Sequence, residues 1–131
     1  MWPTRVYWED TDAGGIVYHA SYLRFLERAR TEWLRMRGLF QRQLALDPGV
    51  LFSVVSLQVQ YRRPARLDDL LLISCEPRRQ SPASIGFSQR IWREGQEGEP
   101  LLDAQMRVAC LNASTMKPQR LPEFIIESML L

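Results

Sequence analysis

The sequence has few cysteines, one histidine and no long apolar run. Cys75 and Cys110 each lie inside a short apolar stretch and not in a paired metal-ligand spacing, so we expect buried free thiols in a reducing compartment. No segment approaches the ~20 apolar residues that a membrane-spanning helix needs, and the opening MWPTRVYWED lacks the apolar core of a signal peptide. We therefore expect a soluble, cytoplasmic protein without a membrane span.

The positive charge is almost entirely arginine, because Lys117 is the only lysine among 17 basic residues. The formal net charge of +2 is too small to indicate a nucleic-acid partner. Arginine suits phosphate recognition, so a phosphorylated ligand fits this composition. A genome-wide codon preference for arginine explains the same ratio, and both interpretations stay open.

The length of 131 residues predicts one domain, residues 1–131. Residues 20–37 predict one long helix that ends near Gly38. Its apolar side chains recur three or four residues apart, as on one helical face: Tyr22, Phe25, Leu26, Ala29, Trp33 and Met36. This stripe is expected to pack on a sheet.

Strand patterns occupy most of the remaining chain, with short glycine- or proline-containing turns between them. They are residues 4–8, 52–63, 69–79, 84–94 and 101–112, with a helical turn at Phe40–Leu46 and a helix start at Pro122. A long helix followed by consecutive strands joined by short turns predicts an α+β fold. We expect an antiparallel sheet of about five strands with the helix on one face.

The acidic segment VYWEDTDAGGIVYHASY, residues 6–22, stands directly before the predicted helix. An EF-hand does not fit, because Ser21 stands where the loop needs its last acid. A phosphate-binding loop does not fit either, because no Gly-Lys-Ser/Thr follows the glycines. A Ser-His-Asp triad lacks a serine in a nucleophile-elbow sequence.

Two interpretations of this segment remain. The first N–H groups of a helix are unpaired and bear partial positive charge, so they can polarise a carbonyl. A nearby carboxylate could attack that carbonyl or activate a water, which would suit acyl transfer to water. Alternatively, the acids only cap the helix and the glycines only form a turn.

The segment VYWEDTDAGGIVYHASYLRFLERARTEWLR resembles the signature of the hotdog-fold acyl-CoA thioesterases of the 4-hydroxybenzoyl-CoA thioesterase family. The motif Asp-x-Asp-x-x-Gly-x-Val is present as Asp10, Asp12, Gly15 and Val17. His19 and the segment ERARTE are similar to the branch associated with the bacterial Tol-Pal system. Further similar segments are YRRPARLDDLL, FSQRI and MKPQRLP, so the resemblance spans nearly the whole chain.

The resemblance implies a hotdog fold with Asp12 as the catalytic acid and His19 as an active-site residue. It gives Asp10 a structural role, and Tyr18 and Gly15 a place in the substrate-binding region. It also implies that arginines bind the phosphates of coenzyme A, and the candidates are Arg62, Arg63, Arg66, Arg78 and Arg79. Glu27 could suggest another thioesterase lineage with its acid on the helix, but an ion pair with a neighbouring arginine is the simpler expectation.

The implied activity is hydrolysis of acyl-CoA, or of an acyl-carrier-protein thioester, without metal or other cofactor. Asp12 would act as nucleophile or as general base. The implied assembly is a homo-oligomer, either a dimer or a tetramer of dimers, with no nucleic-acid partner. The alternatives are another thioester-processing enzyme, such as a hotdog dehydratase, and a non-catalytic module that binds acyl chains, acyl-carrier protein or envelope proteins.

Overall fold

The fold is an antiparallel sheet with a long helix against one face, in a computed structural model that describes residues 1–130. In chain order the elements are β1 (Trp2–Arg5), a 3-10 turn (Trp8–Asp10), α1 (Ser21–Met36), α2 (Gln41–Leu46), β2 (Val50–Tyr61), β3 (Leu70–Ile73), β4 (Glu76–Ser81), β5 (Ser84–Arg93), β6 (Leu102–Asn112) and α3 (Glu123–Leu130). The expected α+β class and long helix are confirmed. No helix in residues 1–130 is long and apolar enough to cross a membrane.

Helix α1 buries most of its predicted apolar stripe against the sheet. Phe25, Leu26 and Ala29 are almost fully buried. The prediction was wrong for Met36, which is 77% exposed. The chain turns back after α1 and the Leu39 N–H donates to the Leu34 carbonyl, so this turn covers Leu34 and leaves Met36 at an open cleft.

Within residues 1–130 the sheet has six strands, one more than expected, because the predicted strand 69–79 is interrupted. Five strands have the order β1-β3-β5-β6-β2, and β4 also pairs with β5. The register with β5 is the same on both sides of the interruption, as Ile73 pairs with Ile91 and Glu76 with Ser88. Between them the Arg90 N–H donates to the Ser74 side-chain oxygen at 3.0 Å, and this side-chain bond replaces a backbone ladder bond.

Strand β2 is an edge of this sheet and follows β6 over its whole length, from Val50 with Asn112 to Tyr61 with Leu102. Its end at Tyr61 brings residues 61–66 beside the segment that leads into α1, because the Val17 N–H donates to the Ala65 carbonyl at 2.9 Å. At the other end of the chain, α3 covers the sheet with Ile125, Ile126 and Met129. The sheet edge and the start of α1 therefore meet at one end of the domain.

Candidate active site

The acidic motif forms a tight hairpin, which explains the order of its residues. Its strands pair through Thr11 and Val17, and the Gly15 N–H donates to the Asp12 carbonyl at 3.1 Å. Aspartate is favoured at the first position of such a turn and glycine at the fourth. Gly15 has φ +78°, in the left-handed region where side chains with a Cβ are strained. Gly15 is therefore required by the turn itself.

Asp12 is exposed and only one of its carboxylate oxygens is used within residues 1–130. Its Oδ1 accepts a hydrogen bond from the Gly14 N–H at 2.8 Å, an arrangement known as an Asx turn. A Cβ on Gly14 would come within 3.2 Å of that oxygen. The backbone thus holds one oxygen in place, and Oδ2 has no partner in the described chain.

Asp10, the first acid of the motif, is 5% exposed and has structural contacts. Its Oδ2 accepts from the Tyr7 N–H at 2.8 Å, and its Oδ1 lies 3.8 Å from an Arg24 guanidinium nitrogen. Its carbonyl accepts from the Tyr18 N–H at 2.9 Å. These contacts join the 3-10 turn to the residues that precede α1, which agrees with the structural role expected for Asp10.

The backbone just before α1 has amide groups directed to no acceptor in residues 1–130. The Ser21 N–H donates to the Tyr18 carbonyl, whereas the N–H groups of His19 and Ala20 have no acceptor in that range. The helix begins at Ser21, so its positive dipole end lies at the same place. Two adjacent free donors at a helix start suit an anionic oxygen.

His19 lines an open cleft of about 280 Å³ together with residues from the end of β2. The other lining residues are Ile16, Val17, Tyr22, Tyr61, Arg62, Arg63 and Pro64. Ile16 and Val17 belong to the hairpin of Asp12, so the cleft adjoins that hairpin. Tyr18 does not line the cleft: it is 46% exposed and its ring lies 4.5 Å from the His19 ring.

Tyr61 is a site residue that the sequence analysis did not single out. Its hydroxyl donates to the His19 carbonyl at 2.9 Å and so holds the backbone that bears the free amides. Burial raises the pKa of Tyr61 and of the neighbouring Tyr22, whose hydroxyl accepts from the Ala65 N–H. Both phenols therefore stay protonated at neutral pH. No local pattern signals this role, since Tyr61 is 42 residues from His19 in sequence.

The arginine candidates separate into two places. Arg62 and Arg63 line the cleft of His19, and Arg66 pairs with Ile16 of the Asp12 hairpin. Arg78 and Arg79 are on β4, on the other side of the sheet order from β2.

The two arginines that line the cleft differ in their charge partners. The Arg62 Nε donates to an Asp103 carboxylate oxygen at 2.6 Å, and this hydrogen bond raises the pKa of Arg62. Arg63 donates to the Glu99 carbonyl and has no carboxylate partner in residues 1–130. Of the two, Arg63 retains more of its charge for a phosphate.

The prediction that Glu27 forms an ion pair with a neighbouring arginine is wrong. Within residues 1–130 no arginine lies within ion-pair distance of Glu27. Instead, the Thr31 hydroxyl donates to its Oε1 at 2.9 Å. Arg24 turns instead toward Ser21 and Asp10.

The chain is similar to thioesterases in sequence and in fold. Residues 14–99 match the thioesterase superfamily of the 4-hydroxybenzoyl-CoA thioesterase type. The chain is 47% identical over 125 residues to the acyl-CoA thioester hydrolase YbgC of Escherichia coli O157:H7, covering 95% of this chain and 91% of that one. It is 45% identical over 121 residues to the acyl-CoA thioesterase YbgC of Haemophilus influenzae, covering 92% and 87%. The crystal structure of a probable thioesterase from Bartonella henselae superposes with a TM-score of 0.85 at 37% identity, covering 92% and 97%.

Proposed function

Since this chain belongs to the thioesterase superfamily and is a thioester hydrolase, we propose that it converts an acyl-CoA to a free acid and coenzyme A through Asp12. The observation that supports this most is the Asp12 hairpin. It presents an exposed carboxylate with one free oxygen beside a cleft whose wall includes the start of α1. An acyl-carrier-protein thioester has the same reacting group and is the second substrate to test.

Asp12 can promote thioester hydrolysis in two ways, as a nucleophile or as a general base. As nucleophile, its Oδ2 attacks the thioester carbon, the C–S bond breaks with loss of thiolate, and water then cleaves the mixed anhydride. As general base, it takes a proton from water, the resulting hydroxide attacks the same carbon, and the thiolate leaves. Both routes give the same products and pass through an oxyanion.

The free N–H groups of His19 and Ala20 are the proposed donors to that oxyanion. Removing one such donor typically costs ~100- to 1,000-fold in rate. Tyr61 would act through them as a positioning residue, because its hydroxyl holds the His19 carbonyl. The His19 ring borders the same cleft, where it can orient the substrate or assist a proton transfer.

Arg63 and Arg66 are the proposed contacts for the coenzyme's phosphates. Their side chains have no carboxylate partner in residues 1–130, and they flank the hairpin and the cleft. Arg62 has a weaker claim because its charge is partly compensated by Asp103, which also pairs with Arg90. Charge removal at Arg63 should raise KM for acyl-CoA more than KM for a short acyl-pantetheine thioester that lacks these phosphates.

The test of Asp12 compares the wild type with Asp12→Asn on acyl-CoAs from acetyl and malonyl to palmitoyl and benzoyl, by thiol release. Asparagine also accepts the Gly14 N–H and is favoured in this turn, so it preserves the structural role and removes only the carboxylate. A fall in kcat of about 100-fold or more with an intact fold supports the proposal. Equal turnover by both proteins would refute it.

A structural, non-catalytic role is the second candidate for Asp12, because the Asx turn is by itself a sufficient reason for an aspartate at position 12. In that case Asp12→Asn would leave acyl-CoA binding and any turnover unchanged. Binding measured by calorimetry on both proteins, beside the thiol assay, separates the two candidates.

We further propose a homo-oligomeric, cytoplasmic enzyme, either a dimer or a tetramer of dimers, associated with the Tol-Pal system. The edge position of β2, with exposed Val54, Val55 and Leu57, supports association with a second copy. The proposed cytoplasmic location is supported by the coenzyme A substrate and by the free thiols of Cys75 and Cys110. The branch-type residues around His19 support the Tol-Pal association. Sedimentation analysis, cell fractionation and co-purification with Tol-Pal proteins are the respective tests.

A further inference from the structure

A second cavity, of about 140 Å³, lies between α1 and the sheet and shares no lining residue with the cleft of His19. We call it the Arg30 cavity. Its walls are mostly apolar, with Leu34, Phe52, Phe87 and Met129 among them. An enclosed apolar space of similar volume, about 150 Å³, accommodates one benzene ring. The cavity is therefore large enough for a small organic group.

Arg30 is the cationic residue of this cavity and is partly buried. Its Nη1 donates to the Gln89 side-chain oxygen at 3.0 Å and also contacts the Met106 sulfur. Gln89 is fully buried and is itself held by a hydrogen bond to the Leu26 carbonyl at 3.1 Å. The guanidinium is thus fixed in orientation by a neutral partner and not by a carboxylate.

Two nitrogens of Arg30, a residue that lines the cavity, have no hydrogen-bond partner in residues 1–130. Its Nε and Nη2 donate to no acceptor in residues 1–130. Every side-chain nitrogen or oxygen in that range that is fully inaccessible does have a hydrogen-bond partner. These two nitrogens must therefore be accessible. Burial lowers the pKa of Arg30, and the nearby Cys75 and Glu27 offset this effect only in part.

Glu27 also lines the cavity, and its carboxylate accepts a hydrogen bond from Thr31, another lining residue. Thr31 donates to it at 2.9 Å, and Gln41 donates to the Thr31 hydroxyl at 3.2 Å. This chain of hydrogen bonds leaves Glu27 outside ion-pair distance of Arg30. The cavity consequently combines apolar walls with a fixed positive charge that no carboxylate pairs with directly, while Glu27 acts on it only from beyond ion-pair distance.

We propose that the Arg30 cavity binds a small monocarboxylate with an apolar body of about one ring, with its carboxylate on Nε and Nη2 of Arg30. A planar carboxylate matches the guanidinium fork, and the apolar body would cover the walls. The inference does not depend on Asp12, because binding of a free acid needs no thioester hydrolysis.

The test is calorimetric titration of the whole protein with hexanoate and benzoate, and with hexan-1-ol and benzyl alcohol as uncharged counterparts. We expect the acids to bind at least about tenfold more tightly than the alcohols. Arg30→Met keeps the apolar stem and should weaken acid binding by about tenfold or more, because a charge-assisted hydrogen bond is lost. Arg28→Met is the control, since Arg28 is exposed on the same helix outside the cavity.

Val54→Phe provides a second variant if Arg30→Met does not fold. Val54 lines the cavity from the edge strand and is 44% exposed, so a larger side chain can fill the space without disturbing the core. Because Val54 also lies on the proposed association surface, sedimentation analysis must show that the variant keeps the wild-type assembly. It should also weaken acid binding by about tenfold. The proposal is overturned if acids and alcohols bind equally, if acid binding survives in the folded variants, or if the acids do not bind at ~10 mM.

Two sources could supply this ligand chemistry. If the order of acid affinities follows the acyl preference of hydrolysis, the ligand is the enzyme's own product. A different order identifies a separate carboxylate. Either order supports the site, and Asp12→Asn should retain the binding in both cases.

Discussion

Substitution by alanine at the two neighbouring glycines of the Asp12 hairpin should affect different properties: stability at Gly15 and activity at Gly14. At Gly15 an added Cβ meets nothing within 4 Å. The only destabilising effect of Gly15→Ala is therefore the strain of an alanine in the left-handed backbone conformation, φ +78°. That conformation destabilises the folded state by about 1–2 kcal/mol. Alanine also lowers the conformational entropy of the unfolded chain, which stabilises the protein by about 0.4–1 kcal/mol. The net expected loss of stability is about 1 kcal/mol.

At Gly14 the backbone does not have a positive φ, but the Cβ would lie 3.2 Å from the Asp12 Oδ1. The carboxylate must then move by a few tenths of an ångström. Since a misplacement of about 1 Å can cost ~100-fold in rate, we expect Gly14→Ala to lower kcat about three- to tenfold. Its effect on stability should be smaller than that of Gly15→Ala.

The two variants are measured side by side, by urea unfolding and by thiol release with the best acyl-CoA substrate. Gly15→Ala should shift the unfolding midpoint by roughly 4 °C in a parallel thermal scan. Gly38→Ala is a matched control, because Gly38 also has a positive φ, +77°, but lies at the other end of α1. If Gly14→Ala keeps full activity while Gly15→Ala keeps full stability, the described hairpin geometry is wrong.

Three further outcomes are expected. Tyr61→Phe removes the hydrogen bond to the His19 carbonyl, so kcat should fall several-fold with KM nearly unchanged, and a fall in KM alone would contradict the positioning role. Gln89→Leu leaves Arg30 without its neutral partner and should cost about 1–3 kcal/mol in urea unfolding, whereas an unchanged midpoint would contradict the buried contact. Burial raises the pKa of the Cys75 thiol from 9.0 to about 12, so the folded protein keeps a proton that the unfolded chain loses. Stability present below pH 9 should fall as the pH rises toward 12, by roughly 1 kcal/mol per pH unit, and Cys75→Ser should remove that part of the slope.

Much of the fold could be predicted because the responsible interactions are local. The period of the apolar residues predicted α1 within one residue at each end, and Pro122 marked the start of α3. Turn chemistry likewise predicted the antiparallel connection between β4 and β5. The break at Ser74 could not be predicted, because it depends on a hydrogen bond to a strand 16 residues away.

The candidate site divides in the same way. The hairpin with Asp12 and Gly15 could be predicted in outline, because its hydrogen bonds join residues within the turn. Sequence spacing could not rank Arg62 against Arg63, since their difference arises from Asp103 on β6. The hydrogen bond between Tyr61 and His19 exists only because the end of β2 meets the start of α1.

The sequence by itself therefore determined the family, the long helix, the strand pattern and the acid-bearing turn, because each follows from neighbours within a few residues or from a continuous motif. Only the tertiary structure decided which charges are neutralised, which amides stay free and where cavities remain. Met36 became exposed and Arg30 became partly buried with a neutral hydrogen-bond partner, although no pattern in the sequence distinguishes either position. The physical reason is that burial and charge compensation depend on which distant segments meet.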